Sequence, residues 1–341
     1  MDMHGFMWGL FGVVILTVLV LDLFVLHKKP HAVTLRESMI WSAAWIAIAL
    51  GFGGLIALLG DYGFGPARAQ QYLAGYVIEL ALSVDNLFVF AVIFSALGIK
   101  REHQHKLLFW GVLGALALRA VFIFAGVALI EQFHWLMYVF GGLLILTGIK
   151  LLFQGESQLD PKKSLIVRAV SKLLPVKADV GGPAFWVREN GKRFATMLFV
   201  GLILVEITDV VFALDSIPAV LAIALDPQTG RADPLVVYAS NAFAIMGLRS
   251  LYFALAGIMA AFRFLKYGLA VVLCFVGVKM VGALGLPAFT LGSWQVPQLM
   301  AAFKVPIGHS LAIIGGVLGA TMGLSLLFRR NVAPEEPRKV D

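Results

Sequence analysis

Long apolar runs separated by short polar stretches dominate this sequence. Each run has roughly 20 predominantly apolar residues or more, the length that an α-helix needs to cross the hydrocarbon core of a bilayer. The sequence therefore predicts an all-α, polytopic membrane protein of about nine transmembrane helices, at residues 6–26, 38–60, 71–98, 107–130, 134–153, 195–225, 235–262, 264–285 and 307–328.

The remaining segments are too short or too polar to form a second domain. We therefore expect residues 1–330 to be a single transmembrane domain. The longest polar segment is the loop 154–194, in which Asn190-Gly191 lies between alternating residues and predicts a short β-hairpin. The charged, proline-containing tail 331–341 is predicted to be disordered.

Composition and charge agree with a membrane protein. The chain is 60% hydrophobic and 14% charged, with a mean hydropathy of +0.90, whereas soluble domains have about 25% charged residues. The net charge of +7 does not indicate nucleic acid, because the basic residues lie in the short loops between apolar runs. One set of alternate loops holds 21 of the 27 Lys and Arg residues and the other set holds 3, which predicts an N-terminus outside and a C-terminus in the cytoplasm. The one cysteine, Cys274, excludes disulfides within the chain and cysteine metal clusters.

Acidic residues interrupt two of the predicted spans. A carboxylate in hydrocarbon costs several kcal/mol, so such residues usually have a function or a charge partner. This feature is typical of transporters, and we take all five acids as candidate metal ligands: Glu79, Asp85, Glu206, Asp209 and Asp215.

The two acidic spans begin two similar groups of three spans, residues 71–153 and 195–285. Three is an odd number, so consecutive groups enter the membrane from opposite sides. This pattern predicts an inverted repeat, as in secondary transporters whose site lies at the membrane midplane between the repeats. The alignment pairs Glu79 with Asp209, Asp85 with Asp215, Arg119 with Arg249 and Gly148 with Gly277.

Spacing limits how these acids can share one ion. Positions six apart on a regular helix differ by about 240° in azimuth and about 9 Å along the axis, so Glu79 and Asp85 cannot hold the same ion. Either the acids form two stacked sites, or the helices break near Asp85 and Asp215. Pro218 favours a break in the second repeat, because it cannot donate to the carbonyl of Leu214, which would then be a possible ligand.

The charge count favours a divalent cation. Five acids and two arginines within the spans leave a charge of −3, and oxygen ligands suit Mn²⁺, Ca²⁺ or Mg²⁺ better than copper or zinc. We expect Arg119 and Arg249 to be charge partners of the acids rather than ligands. Protonation of one carboxylate would release the metal, which suggests proton-coupled exchange. Nearby side chains that could line the site or add ligands are Ser83, Asn86, Ser216 and Asn241, the last of which could equally serve helix packing.

Three long stretches resemble the TerC family of integral membrane proteins, in particular its Alx-like branch. They are Glu79-Leu-Ala-Leu-Ser-Val-Asp85-Asn86-Leu-Phe-Val-Phe, Val205-Glu206-Ile-Thr-Asp209-Val-Val-Phe-Ala-Leu-Asp215-Ser-Ile-Pro218-Ala and Asn241-Ala-Phe-Ala-Ile-Met-Gly-Leu-Arg249-Ser-Leu-Tyr. The resemblance implies a multi-pass protein of the bacterial cytoplasmic membrane that exports manganese, with the five acids as the family's acidic motif positions. The family was named for tellurium-ion resistance, and some members resemble accessories for metal loading or protein insertion.

Several functions therefore remain to be compared. We expect a Mn²⁺ exporter with the metal ion and the bilayer as partners, no organic cofactor, no nucleic acid and no enzymatic activity. Ca²⁺/H⁺ exchange and a non-transporting accessory role are the alternatives. An aspartyl protease would need a Gly-x-Gly-Asp motif near paired acids, which the sequence lacks, and an oxyanion carrier would need a positive site.

Overall fold

The computed structural model describes residues 3–21, 34–60, 63–153, 175–177, 184–189, 191–225, 231–255, 264–284, 289–291, 294–296 and 305–327. In this part of the chain, nine helices are long and apolar enough to cross a membrane, which confirms the prediction of an all-α, multi-pass membrane protein. They are α1 (Met3–Leu21), α2 (Leu35–Leu58), α3 (Pro66–Ala96), α4 (Arg101–Gln132), α5 (Leu136–Phe153), α6 (Met197–Ala224), α7 (Pro234–Leu255), α8 (Leu265–Leu284) and α9 (Ile307–Leu327). Most of the loop 154–194 and the whole tail 331–341 lie outside the described residues.

Local signals in the sequence set the helix ends. Gly65, with φ +111°, precedes Pro66 at the start of α3, and Gly98, with φ +65°, follows its end. Thr196 caps α6 by accepting a hydrogen bond from the amide of Phe199 at 3.4 Å. Helices α3 and α4 extend beyond the predicted spans, because hydropathy detects only the part of a helix that lies in hydrocarbon.

The helices α3, α4, α6 and α7 form the centre of the bundle. Helix α3 packs against α6 and α7, and α4 packs against the same two helices. Helix α7 is the most deeply buried of the described spans. Outer helices keep large apolar side chains exposed, such as Leu16 on α1 and Leu146 on α5, as expected of surfaces that face lipid. Among the described residues, the buried ion pairs with Arg119 therefore lie within the four central helices.

Glycines bring α5 and α8 into close contact. A Cβ atom at Gly277 would lie 2.6 Å from the carbonyl oxygen of Gly141, and one at Gly148 would lie 2.8 Å from that of Ala270. In the sequence alignment Gly148 corresponds to Gly277, so at the same offset Gly141 corresponds to Ala270. Each contact therefore recurs with its members exchanged, as across a two-fold axis. The inverted sense of the repeat stays a prediction.

Two small sheets accompany the helices. Strand β2 (Trp186–Glu189) pairs antiparallel with β3 (Lys192–Thr196) around Gly191, whose φ is +76°, which confirms the predicted hairpin. Strand β1 (Val176–Lys177) runs parallel to β3 and was not predicted. Strands β4 (Phe289–Leu291) and β5 (Trp294–Val296) form a second hairpin where the sequence was interpreted as a loop. The two-residue link Gly292-Ser293 is a hairpin signal that could have revealed it.

Candidate functional site

The guanidinium of Arg119 on α4 lies at the centre of the bundle, and its side chain is 1% exposed. Its Nη2 donates to Oδ1 of Asp209 at 2.8 Å, and its Nε donates to Oδ2 of the same residue at 3.2 Å. Its Nη1 donates to Oε1 of Glu79. One arginine therefore binds an acid from α3 and an acid from α6, the two that the repeat alignment pairs.

Two further oxygen atoms surround Nη1 of Arg119. The amide oxygen of Asn241 on α7 lies 3.2 Å away, and the hydroxyl oxygen of Ser216 on α6 lies 3.3 Å away. Together with Glu79, oxygens from α3, α6 and α7 converge on one nitrogen atom of α4. All of these side chains are candidates predicted from the sequence, and the structure brings them together.

The carboxylate of Glu79 has two more partners. Its Oε2 accepts from Nδ2 of Asn241 at 2.9 Å, and its Oε1 accepts from the hydroxyl of Ser83 at 3.3 Å. Ser83 lies one helical turn after Glu79, so both face the same side of α3. We call Glu79, Ser83, Arg119, Asp209, Ser216 and Asn241 the central network.

Every member of the central network is buried, with no more than 3% of its surface exposed. Two carboxylates and one guanidinium give it a net charge of −1. A charge buried this deeply is stable only when it is paired and hydrogen-bonded, and the described contacts of Glu79, Asp209 and Arg119 meet this condition.

Glu206 lies beside the central network but faces a different neighbour. Its carboxylate packs against Gly114 of α4, where a Cβ atom would overlap it. Its Oε2 is buried and has no hydrogen-bond partner among the described residues. Gly114 therefore provides the space for this carboxylate, which sequence reasoning did not identify.

Arg249, which the alignment pairs with Arg119, occupies a different environment. It is 7% exposed and lines a small cavity together with Asp209, Gly111 and Ala115. The ion pairs described for Glu79 and Asp209 are made with Arg119. A role of Arg249 as a charge partner of the acids stays a prediction.

The other predicted site residues have varied positions. The backbones of Asp85 and Asp215 lie in α3 and α6, but their side chains lie outside the described part of the structure. Asn86 is buried, at 2% exposure, about two helical turns from Glu79. The side chain of Leu214 is 51% exposed on the surface of α6.

The sequence left open whether the helices break near Asp85 and Asp215, and the structure shows no break at either residue. Helix α3 continues through Asp85, and α6 continues through Asp215 and holds Pro218 in its interior. Neighbouring helices can support the carbonyl that a proline leaves unpaired, so a proline alone does not end a membrane helix. Among the described residues, no group of three or more His, Cys, Asp or Glu side chains is placed to hold a metal ion.

A second polar cluster lies at the N-terminal ends of α1, α3 and α7. Arg68 donates to Asp233, and Nε2 of His4 lies 3.1 Å from Nη1 of Arg68 and 3.3 Å from Oδ2 of Asp233. Asp233 also caps α7 by accepting from the amide of Leu235 at 3.0 Å. Its members are far apart in the chain, so no sequence signal could have grouped them.

The fold and the central network define a polytopic integral membrane protein with buried charges at its core. The model of the integral membrane protein TerC family matches residues 64–333, and the chain belongs to this family. It is 44% identical to an uncharacterized membrane protein of Myxococcus xanthus over 95% of this chain and 93% of that protein. It is 37% identical to the "Putative membrane-bound redox modulator Alx" of Escherichia coli K12, over 92% of each chain. No solved structure matches the chain.

Proposed function

We propose that this protein is a secondary transporter that exports Mn²⁺ from the cytoplasm, coupled to protons. The observation that carries the proposal is the convergence of oxygen atoms from Glu79, Asp209, Asn241 and Ser216 on the buried guanidinium of Arg119. Carboxylate, amide and hydroxyl oxygens are the ligands that hard divalent cations prefer.

The position of these oxygens also supports transport. They come from α3, α6 and α7, so an ion bound there would contact both predicted repeats at once. In secondary transporters, a site between two repeats can open to either side as the repeats move against each other. The cavity beside Asp209 lies toward the C-terminal end of α3 and the N-terminal end of α4, which residues 97–100 connect. The charge bias of the loops predicts that this connection is on the cytoplasmic side. We therefore propose that Mn²⁺ enters from the cytoplasm through this side.

Release requires the acids to give up the ion. We propose that protonation of one carboxylate lowers the negative charge and frees the metal. Glu206 suits this step, because it is close to Asp209 in sequence and its Oε2 has no hydrogen-bond partner among the described residues.

Ca²⁺/H⁺ exchange is the nearest alternative, because the same oxygen ligands suit Ca²⁺. The second alternative is a non-transporting accessory protein in metal loading or in tellurium-ion resistance. The ion pairs of Arg119 favour this alternative. Arg119 already pairs with both acids, so the central network could act only to hold helices together. The redox role in the name of the Alx relatives cannot rest on a dithiol within this chain, which has a single cysteine.

The test is Mn²⁺ accumulation in inverted membrane vesicles that contain the wild type, Asp85→Asn or Asp215→Asn. Glu102→Gln is the matched control, because Glu102 has a side chain 50% exposed at the start of α4. We expect accumulation with the wild type and the control, and loss of it in the two Asp variants at equal amounts of folded protein. Equal accumulation above the protein-free background in all four would reject transport through these two acids. Accumulation at that background in all four would favour the accessory role. Excess Ca²⁺ that abolishes Mn²⁺ accumulation would favour the Ca²⁺ exchanger.

A further inference from the structure

The oxygen atoms of the central network are arranged as around a cation, and the protein's own Arg119 fills that place. Nη1 faces three oxygens, one each from Glu79, Asn241 and Ser216. The other two nitrogens face both oxygens of Asp209. All of these groups are buried, so water contributes little to neutralising the two acids.

We propose that Arg119 is an internal substitute for the transported cation, occupying its place in the empty transporter and leaving it when the metal binds. This inference rests on the proposed function, because it assumes that Glu79 and Asp209 bind the exported ion. It adds the mechanism by which the empty protein avoids two unpaired buried carboxylates.

Charge makes occupancy by the metal and by the guanidinium mutually exclusive. With Arg119 in place, the two carboxylates and the guanidinium together carry a net charge of −1. A divalent ion added at the same oxygens would change this to +1 and would lie in contact with the guanidinium. Two cations at contact distance in a low-dielectric site repel each other strongly, so Arg119 must withdraw when the metal enters.

The direction of withdrawal follows from the geometry of α4. Long helical side chains lean toward the N-terminal turn of their own helix. On that side of Arg119, the residues Ala115 and Gly111 are small and line the cavity that reaches Asp209. The cavity itself is small, so the guanidinium can enter it only if the surrounding helices separate. Its movement is therefore coupled to movement of the helices.

Two functional consequences follow. First, Arg119 competes with the metal, so the site is available to Mn²⁺ only in the fraction of molecules in which Arg119 has moved away. The apparent affinity for Mn²⁺ therefore equals the intrinsic affinity multiplied by that fraction. Second, Arg119 lets the empty transporter reorient with one of its two buried negative charges offset, which net export requires. Without Arg119, only the metal-loaded form would cross easily, and the protein would exchange Mn²⁺ for Mn²⁺ without net export.

The experiment compares wild type with Arg119→Gln, which removes the charge, and Arg119→Lys, which keeps it but cannot bind two acids as a fork. Mn²⁺ binding is measured on the purified full-length protein, and net flux and Mn²⁺/Mn²⁺ exchange are measured in liposomes. If a tenth or less of the wild type has the site free, Arg119→Gln binds Mn²⁺ about tenfold more tightly or better. We expect it to retain exchange and lose net flux, with Arg119→Lys between it and the wild type.

The outcomes separate this inference from the proposed function. Weaker or unchanged Mn²⁺ binding in Arg119→Gln, or parallel loss of exchange and net flux, would show a purely structural arginine and overturn the inference. If Arg119→Gln does not fold, Arg119→Lys decides, because it must still bind Mn²⁺ more tightly than the wild type does. A folded wild type that transports no Mn²⁺ would reject the proposed function itself.

Discussion

Arg119 contacts Asp209 through two nitrogen atoms, with Nη2 2.8 Å from Oδ1 and Nε 3.2 Å from Oδ2. This fork-like contact fixes the orientation of both groups and joins α4 to α6. Nη1 of the same guanidinium binds Glu79 of α3. Loss of the contact with one acid would therefore change the position of the guanidinium at the other acid. The central network therefore links helices of both predicted repeats through one charge.

Asn241 should contribute more to stability than Ser216. Asn241→Leu leaves Oε2 of Glu79 without its 2.9 Å donor, and an unsatisfied buried group costs about 1–3 kcal/mol or more when charged. Ser216→Ala removes a 3.3 Å contact and should cost about 0.5–1.5 kcal/mol. Thermal unfolding in detergent should therefore show the larger decrease in midpoint for Asn241→Leu. A larger decrease for Ser216→Ala would mean that Asn241 does not support Glu79.

Gly114 should matter only because of Glu206. A Cβ atom at position 114 would overlap the Glu206 carboxylate, which must then move. Gly114→Ala should cost about 1 kcal/mol in the wild type, and clearly less when combined with Glu206→Ala. Thermal unfolding of the two single variants and the double variant measures this coupling. Strictly additive effects would show that the carboxylate does not occupy this space.

Gly277 should be required for the contact between α5 and α8. In Gly277→Ala, the new methyl group meets the backbone carbonyl of Gly141, which cannot rotate away as a side chain can. The helices must separate, at a cost of about 1–3 kcal/mol. Gly142→Ala is the matched control, because a Cβ atom there meets nothing within 4 Å. We expect a lower unfolding midpoint for the first variant only, and equal midpoints would contradict the described packing.

The charge bias predicts the orientation in the membrane. Leu58 and Phe153 are each 84% exposed and lie at helix ends that are predicted to face opposite sides. Cys274→Ser gives a cysteine-free chain, into which Leu58→Cys or Phe153→Cys can be placed. A membrane-impermeant maleimide added to intact cells should label Leu58→Cys and spare Phe153→Cys. The reverse pattern would place the N-terminus in the cytoplasm.

Local patterns in the sequence were enough to predict the spans and one hairpin. Apolar length is a property of each segment, and Asn190-Gly191 specifies its own turn. The cost of a buried charge likewise identified Glu79 and Asp209 as candidate site residues. Their meeting at Arg119 could not be derived in this way, because these acids lie 40 and 90 residues from it.

Tertiary packing explains where sequence reasoning failed. Pro218 suggested a helix break, but whether a proline ends a helix depends on its neighbours, and α6 continues through it. The alignment treated Arg119 and Arg249 as equivalents, yet the structure places the first in the central network and the second beside a cavity. Gly114 gave no signal, since its importance depends on a carboxylate from another helix.

The most direct test of the account is Mn²⁺ flux by the purified protein in liposomes, with Asp209→Asn compared with wild type and with the exposed-site control Glu102→Gln. Asp209→Asn keeps the size of the side chain and removes the charge that faces Arg119. We predict Mn²⁺ flux with the wild type and the control, and only the protein-free background with folded Asp209→Asn. Equal flux with Asp209→Asn and the wild type, or none with a folded wild type, would contradict a Mn²⁺ transporter built on the central network.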